Sequence, residues 1–267
     1  MGNESIMIIT DLDKTLLNSN RQISEYSKQI FKKCQENGNI IVFATARPLR
    51  ATRILFDSIT PNAVICHSGA IIFANEKQIL HTGIDKITAK DIYEKIIEFH
   101  TKANIAIEYN DEIYTNFDLR QSKLHWNDIP YKKIDFMSIF QENIDKIIIV
   151  LESIENNVEQ IKNILPKELY LEISDNEVAL IMNKEATKWN GIKNLIEYYG
   201  IKEENTIAFG DDYIDIEMVE KCGIGIAMEN GIEEIKRKAK YICKNNNEDG
   251  VAKWIEDNII KNGQNSI

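Results

Sequence analysis

Nowhere in the 267 residues does an apolar run approach the ~20 positions a helix needs to cross a bilayer. A helical membrane span is therefore excluded. Met1 to Ile6 is polar and carries no basic segment ahead of an apolar stretch, so no export signal is expected and a cytoplasmic location is. Cysteine is scarce: Cys34, Cys66, Cys222 and Cys243 lie far apart and form no C-x-x-C pair. They are therefore expected to be free thiols of a reducing cytosol. His81, His100 and His125 show no metal-ligand spacing. Positive charge is also short. The formal net charge is −10 with no basic stripe, which argues against nucleic acid or an anionic membrane as the partner. No P-loop and no Ser-His-Asp arrangement occurs, and Gly223-Ile-Gly225 follows no strand suited to a dinucleotide fingerprint.

What is present is ordinary for a soluble globular chain: 43% apolar and 28% charged residues, over a length sufficient for one large domain or two modest ones. Ile6 to Thr10 is a short β-branched run of the kind buried on both faces of a parallel sheet. Ser24 to Asn37 has helical spacing and ends at Gly38. Ile40 to Ala44 is a second buried run, Pro48 to Ser58 a helix pattern, and Ala63 to Cys66 a third run. Strand, helix, strand, helix, strand predicts a doubly wound α/β sheet. The middle changes character. Helix patterns at Thr88 to His100 and Glu155 to Leu165 alternate with strand runs at Ile105 to Tyr109, Glu112 to Tyr114, Lys146 to Leu151, Leu169 to Ile173 and Val178 to Met182. Asn110-Asp111 and Ser174 to Glu177 read as hairpin turns. Residues 84–183 are therefore expected to form an inserted α+β cap whose sheet is covered on one face, with 1–83 and 184–267 as one discontinuous α/β core. In the second part of that core, Glu185 to Tyr199 reads as a helix, Thr206 to Gly210 as a strand, Ile214 to Lys221 as a helix, Gly225 to Met228 as a strand, Ile232 to Lys240 as a helix, Tyr241 to Cys243 as an edge strand and Val251 to Ile260 as a closing helix. The polar tail 262–267 is expected to fray.

Ligands of parallel α/β sheets bind beyond the carboxyl ends of the strands. After the first strand come Asp11, Asp13 and Thr15; after the second, Thr45 and Arg47; after the third, Ser68 and Gly69; after the strand at 206–210, Asp211, Asp212 and Asp215. Each of these segments alone reads equally well as a turn or a helix cap; their common placement at strand ends is what points to a site. Asp11, Asp13, Asp211 and Asp215 would repel one another in a cleft unless a cation lay between them. An all-oxygen site with room for water suits Mg²⁺. Of the pair Asp11 and Asp13, one carboxylate can attack phosphorus while the other handles the leaving group's proton.

Asp11-Leu-Asp-Lys-Thr-Leu-Leu17 resembles the D-x-D-x-T-L signature of the haloacid-dehalogenase superfamily, and the whole chain resembles its Cof-type branch, with a Rossmann-like core and a large cap. Thr45 of Phe43-Ala-Thr-Ala-Arg-Pro48 is similar to the second motif, Lys188 of Glu185-Ala-Thr-Lys188 to the third, and Gly210-Asp-Asp-Tyr-Ile-Asp215 to the fourth, G-D-x-x-N-D. His67-Ser-Gly-Ala70 is similar to an Asn-Gly-Ala segment. The resemblance implies a Mg²⁺-dependent phosphatase of small phosphorylated metabolites such as sugar phosphates, flavin mononucleotide or pyridoxal phosphate, acting as a monomer or weak homodimer. Asp11 would be the nucleophile that becomes a phosphoaspartate. Asp13 would be the general acid and base, ligating the metal through its backbone carbonyl. Asp11 and Asp211 would be further metal ligands, and Asp215 would orient the metal's waters from behind them. Thr45 and Lys188, with Ser68 and Gly69, would hold the phosphoryl group. Thr15 would brace the Asp13 loop, and Arg47 and Asp212 would support the site from its margin.

Three departures stand out. Lys14 replaces the usual glycine and is expected to face solvent, Ser68 replaces asparagine, and Ile214 replaces the asparagine of G-D-x-x-N-D and offers no hydrogen bond. They leave two further readings open: a phosphate-ligand-binding or regulatory protein with a decayed site, and a phosphosugar mutase. His67 is expected to be structural, and Trp126, Tyr109, Tyr114 and Phe117 to belong to the cap's own core.

Overall fold

The structure is a computed structural model that describes residues 5–121, 129–134, 136, 139–155, 157–174 and 176–261. His125, Trp126 and the tail 262–267 lie outside the described residues. In chain order the strands are β1 (Met7–Thr10), β2 (Ile40–Ala44), β3 (Ala63–Cys66), β4 (Ile71–Ala74), β5 (Lys77–His81), β6 (Ile105–Tyr109), β7 (Glu112–Thr115), β8 (Lys132–Lys133), β9 (Lys146–Val150), β10 (Leu169–Ser174), β11 (Val178–Asn183), β12 (Thr206–Gly210), β13 (Ile224–Met228) and β14 (Tyr241–Cys243). The helices are α1 (Glu25–Glu36), α2 (Leu49–Arg53), α3 (Lys86–Phe99), α4 (Val158–Ile164), α5 (Lys188–Tyr199), α6 (Ile216–Lys221), α7 (Glu233–Lys238) and α8 (Gly250–Ile255). Among the described residues no helix is long and apolar enough to cross a membrane. The chain forms two compact units, Met1–Leu80 with Thr187–Ile267, and His81–Ala186.

The first unit holds a sheet in the order β14-β13-β12-β1-β2-β3-β4-β5. The strands from β14 to β3 are parallel, and β4 returns antiparallel to β3. β1 is buried at every position, as its uninterrupted apolar run predicts for a strand covered on both faces. Met7 and Ile9 pack in a cluster with Trp189, Ile192 and Leu195 of α5 and Met218 and Val219 of α6. α8 meets the sheet through Trp254, whose ring lies edge-on to Phe209 at 5.6 Å. α1 opens at Ser24, whose side chain accepts the Ser27 N–H, and buries the stripe Ile30, Phe31 and Cys34, the i, i+4 face expected of an amphipathic helix.

Two elements differ from expectation. The helix after Pro48 stops at Arg53. Beyond it the chain closes three-residue turns, Phe56 to Arg53 and Ser58 to Leu55. The Thr60 hydroxyl takes the Phe56 carbonyl, which a longer helix would have used. The hairpin of β4 and β5 was not expected. Its two turn residues, Asn75 and Glu76, have φ of 48° and 65°, the left-handed pair that matches the twist of a tight hairpin, but Asn-Glu lacks the glycine that usually marks such turns.

The second unit is α+β. Its sheet runs β10-β11-β9-β6-β7-β8 and is antiparallel except for the β7–β8 pair. Asn110 and Asp111 turn the β6–β7 hairpin with φ of 52° and 61°. Ile105, Ile107, Ile147 and Ile149 share a cluster with Ala89, Ile92 and Ile96 of α3 and Ile161 of α4. The opposite sheet face is apolar too: Ala106, Ile113, Ile148 and Val178 pack with Phe117 and Leu119. The expectation of one covered face is corrected here. β9 is apolar at every position after Lys146, so both faces need cover. Tyr109 and Tyr114 pack against the helix-side cluster.

Candidate active site

The four strands that end in polar segments are neighbours, β12-β1-β2-β3. From β1 the chain steps outward through β2 and β3; on its return it enters at β12 and steps the other way through β13 and β14. The reversal falls between β1 and β12, where an open α/β sheet leaves a crevice at its carboxyl end. Thr10 is level with Phe209, and the Asp11 N–H donates to the Phe209 carbonyl at 3.0 Å. Asp11 and Asp211 therefore leave the sheet side by side.

Lys188 ties this crevice together. Its Nζ lies 2.6 Å from Asp11 Oδ1 and 2.6 Å from Asp215 Oδ1, with all three side chains buried. The other Asp215 oxygen, Oδ2, accepts the N–H groups of Asp211 at 3.0 Å and Asp212 at 3.2 Å. Asp215 thus folds its own loop while facing the lysine. Gly210 makes room for this turn, since a Cβ there would lie 2.4 Å from the Asp215 Cβ. Lys188 is the first residue of α5, next to the cap residue Thr187, whose hydroxyl accepts the Asn190 N–H. A cation at a helix N-terminus opposes the macrodipole, so two carboxylates are needed to hold it there. Gly69, at φ 121°, packs against the same turn: a Cβ on it would sit 2.2 Å from the Thr187 carbonyl oxygen. The loop after β3 can approach the start of α5 only as glycine.

The cluster is short of positive charge. Carboxylate oxygens of Asp11, Asp211 and Asp215 all lie within 4.8 Å of one another, with one ammonium among them. Burial pushes the Asp11 carboxyl up to about 8, against the pull of Lys188 and with the help of Asp215. Burial likewise pushes Asp211 up to about 6, opposed by its bond from the Thr15 hydroxyl and aided by Asp215 and Asp212. Burial alone would lower Lys188, but Asp11 and Asp215 outweigh it and hold the ammonium well above its usual range. Acids held this far above their usual range are short of a cation, and this all-oxygen donor set fits a hard divalent ion. Both acids are raised above their unfolded value of 3.8, so the folded protein retains protons that the unfolded chain releases. Metal-free protein is therefore expected to lose stability as pH rises from about 4 to 8. A divalent cation competes with those protons and is expected to raise the melting temperature more at pH 8 than at pH 5. Thermal melts in EDTA and in Mg²⁺ across this range check both signs; equal Mg²⁺ effects at the two pH values would refute the cation-deficient cluster.

The remaining residues expected at the site occupy distinct places. The Thr15 hydroxyl donates to Asp211 Oδ1 at 2.6 Å, so it bridges two loops rather than bracing the Asp13 loop alone. Asp13 is half-exposed and its carboxylate is gripped by Arg47, Nε to Oδ2 at 2.7 Å and Nη2 to Oδ1 at 2.5 Å. It does not share the Asp11, Asp211 and Asp215 cluster, whereas Asp215, expected behind the metal ligands, does. Lys14 is exposed with φ 60°, a left-handed position natural for the glycine it replaces. Its carbonyl accepts the Asn230 side-chain amide at 2.8 Å. Thr45 is buried and its hydroxyl accepts the Arg47 N–H at 3.2 Å. The Thr45 and Arg47 carbonyls accept the N–H groups of Ser68 and His67, so the loops after β2 and β3 are zipped together. His67 and Ser68 are buried and left-handed, φ 48° and 56°. Asp212 caps the short turn Tyr213–Asp215 by accepting the Tyr213 N–H. Ile214 is 37% exposed. Two features had no readable signal in the sequence: the Arg47–Asp13 fork and the Asn230 contact join segments far apart in the chain, and neither pair has a diagnostic spacing.

The family model for haloacid dehalogenase-like hydrolases matches residues 8–255. The chain belongs to this family. It is a Cof-type member and a phosphatase. The 5-amino-6-(5-phospho-D-ribitylamino)uracil phosphatase YitU of Bacillus subtilis is 26% identical to it, over 96% of this chain and 98% of YitU. Among solved structures, TM0651 of Thermotoga maritima superposes with a TM-score of 0.87 at 25% identity, covering 95% of this chain and 97% of that one. A haloacid dehalogenase-like hydrolase of Bacteroides thetaiotaomicron gives 0.84 at 26% identity, covering 95% and 99%.

Proposed function

We propose that this phosphatase hydrolyses small phosphate monoesters through a covalent intermediate on Asp11, with Mg²⁺ held by Asp11 and Asp211 and the Asp13 carbonyl. The observation that carries the reading is the buried contact of Lys188 with Asp11 beside the clustered Asp211 and Asp215. In the first step an Asp11 oxygen bonds to phosphorus as the ester P–O bond breaks, and the leaving oxygen takes a proton from Asp13. In the second, Asp13 takes a proton from water, whose oxygen bonds to phosphorus as the Asp11–phosphorus bond breaks. Ester and water become alcohol and phosphate, and both aspartates return to their starting state. Lys188 and Thr45 hold the phosphoryl oxygens, and Lys188 offsets the charge that develops on them. Bound Mg²⁺ would supply further charge neutralisation for the phosphoryl group and fix its orientation.

The compound named for YitU, a phosphoribityl group on a pyrimidine, leads the substrate class. Flavin mononucleotide carries the same phosphoribityl arm on a larger ring. The test is phosphate release from a panel of that compound, flavin mononucleotide, pyridoxal phosphate, sugar phosphates and p-nitrophenyl phosphate, with Mg²⁺ and with excess EDTA. Mg²⁺-dependent turnover of at least one metabolite, favouring the ribityl esters, is expected. A panel that is bound but not cleaved would sink the hydrolytic reading and favour a binding protein. Phosphate moved between positions of a sugar without release would favour a mutase.

A further inference from the structure

We propose that Arg47 is the positioning residue of Asp13, holding its carboxyl in the one orientation from which it serves the leaving oxygen and then the water. The inference rests on the reading of Asp13 as general acid and base. The two cations are divided between the carboxylates. Lys188 is committed to Asp11 and Asp215, whereas Arg47 is committed to Asp13 through both Nε and Nη2. The Asp13 side chain is 50% exposed and that of Arg47 only 19%, so the arginine is the anchored partner. Its backbone is fixed at both ends: the N–H donates to the Thr45 hydroxyl at 3.2 Å, and the carbonyl accepts the His67 N–H at 3.1 Å. One turn thus carries both Thr45, read as a phosphoryl ligand, and Arg47, which reaches Asp13. The Asp13 backbone is held by its bridge to Leu17 and by the Asn230 amide on the Lys14 carbonyl, whereas its half-exposed carboxylate is gripped by Arg47. A planar fork that engages both oxygens fixes the rotation of a carboxylate, which a single-point ammonium cannot do. The guanidinium keeps its charge at every working pH, so only the proton that Asp13 itself gains and loses changes the strength of the grip.

The experiment is a double-mutant cycle on the full chain with Mg²⁺, using Arg47→Ala, Asp13→Asn and the double variant, with Arg47→Lys as the conservative control. kcat and KM are measured for an alkyl phosphate and for p-nitrophenyl phosphate. The first ester needs its leaving oxygen protonated; the second does not. Arg47→Ala is expected to lower kcat/KM for the alkyl ester by about 10- to 100-fold, and for the aryl ester by less than about 3-fold, because kcat/KM ends at P–O cleavage. Arg47→Lys should fall between wild type and Arg47→Ala. The double variant should be no slower than Asp13→Asn, because the two residues act as one unit. Multiplying losses, or a rise in KM shared by both esters, would overturn the proposal and make Arg47 a substrate ligand. An unimpaired Arg47→Ala beside a crippled Asp13→Asn removes the Arg47 assignment alone. An unimpaired Asp13→Asn removes the acid–base reading and this assignment with it. Melting curves guard against misfolding, and a folded Arg47→Ala variant with the selective alkyl-ester loss separates positioning from a structural role.

Discussion

Asp11→Asn is expected to cut phosphate release on the order of 10⁶-fold, the scale seen when a covalent nucleophile is removed. An amide nitrogen or oxygen does not displace the ester oxygen, and water alone would have to attack phosphorus. The fold should be untouched. The substitution keeps the shape of the side chain and removes one of three carboxylates crowded within 4.8 Å. At neutral pH the metal-free variant should melt no lower than wild type, because Asp11 already favours the protonated form, at about 8. Rapid acid quench supplies the second readout: wild type given a ³²P-labelled ester should carry acid-stable, hydroxylamine-labile label on the protein, and Asp11→Asn none. Turnover within about 10-fold of wild type in the variant would refute the assignment of Asp11.

Lys188→Met should damage both stability and activity. Methionine fills similar space but leaves Asp11 and Asp215 without the ammonium that sits 2.6 Å from each. Breaking a buried pair from one side costs about 3–5 kcal/mol, which for a chain of this size lowers the melting temperature by roughly 10 °C. The loss should be larger at pH 8 than at pH 5, where the carboxylates recover neutrality by binding protons. kcat should fall about 10²- to 10³-fold, as when a preorganised charge at the phosphoryl position is removed. A metal-free variant that melts within about 2 °C of wild type at pH 8 would show that Lys188 does not balance the cluster.

The strand-end logic made much of the core legible. β1, β2, β3 and β12 are short apolar runs followed at once by polar residues, and a buried parallel strand has no other sequence form. Asp11, Thr45, Gly69 and Asp211 could therefore be placed on one edge of a sheet before any coordinates. The failures have physical causes. The β4–β5 hairpin turns on Asn75-Glu76, where a glycine would have announced it. The other face of the second unit's sheet was missed because its cover, Phe117 and Leu119, lies outside any strand or α-helix, with no periodic pattern to announce it. The role of Arg47 escaped because a bond between residues 13 and 47 depends on side-chain reach after folding, which spacing does not encode.

The contact between Asp11 and Lys188 joins residues 177 positions apart, and β1 lies between β2 and β12 in the finished sheet. During synthesis, β1 and β2 leave the ribosome long before β12 does. One edge of the central strand stays unpaired until residues 206–210 have emerged, and Asp11 lacks its lysine until residue 188 has. Nascent chains of this protein therefore carry an unpaired apolar edge while residues 45–205 are being made, and the carboxylate cluster around Lys188 closes only once Asp211 and Asp215 have followed β12.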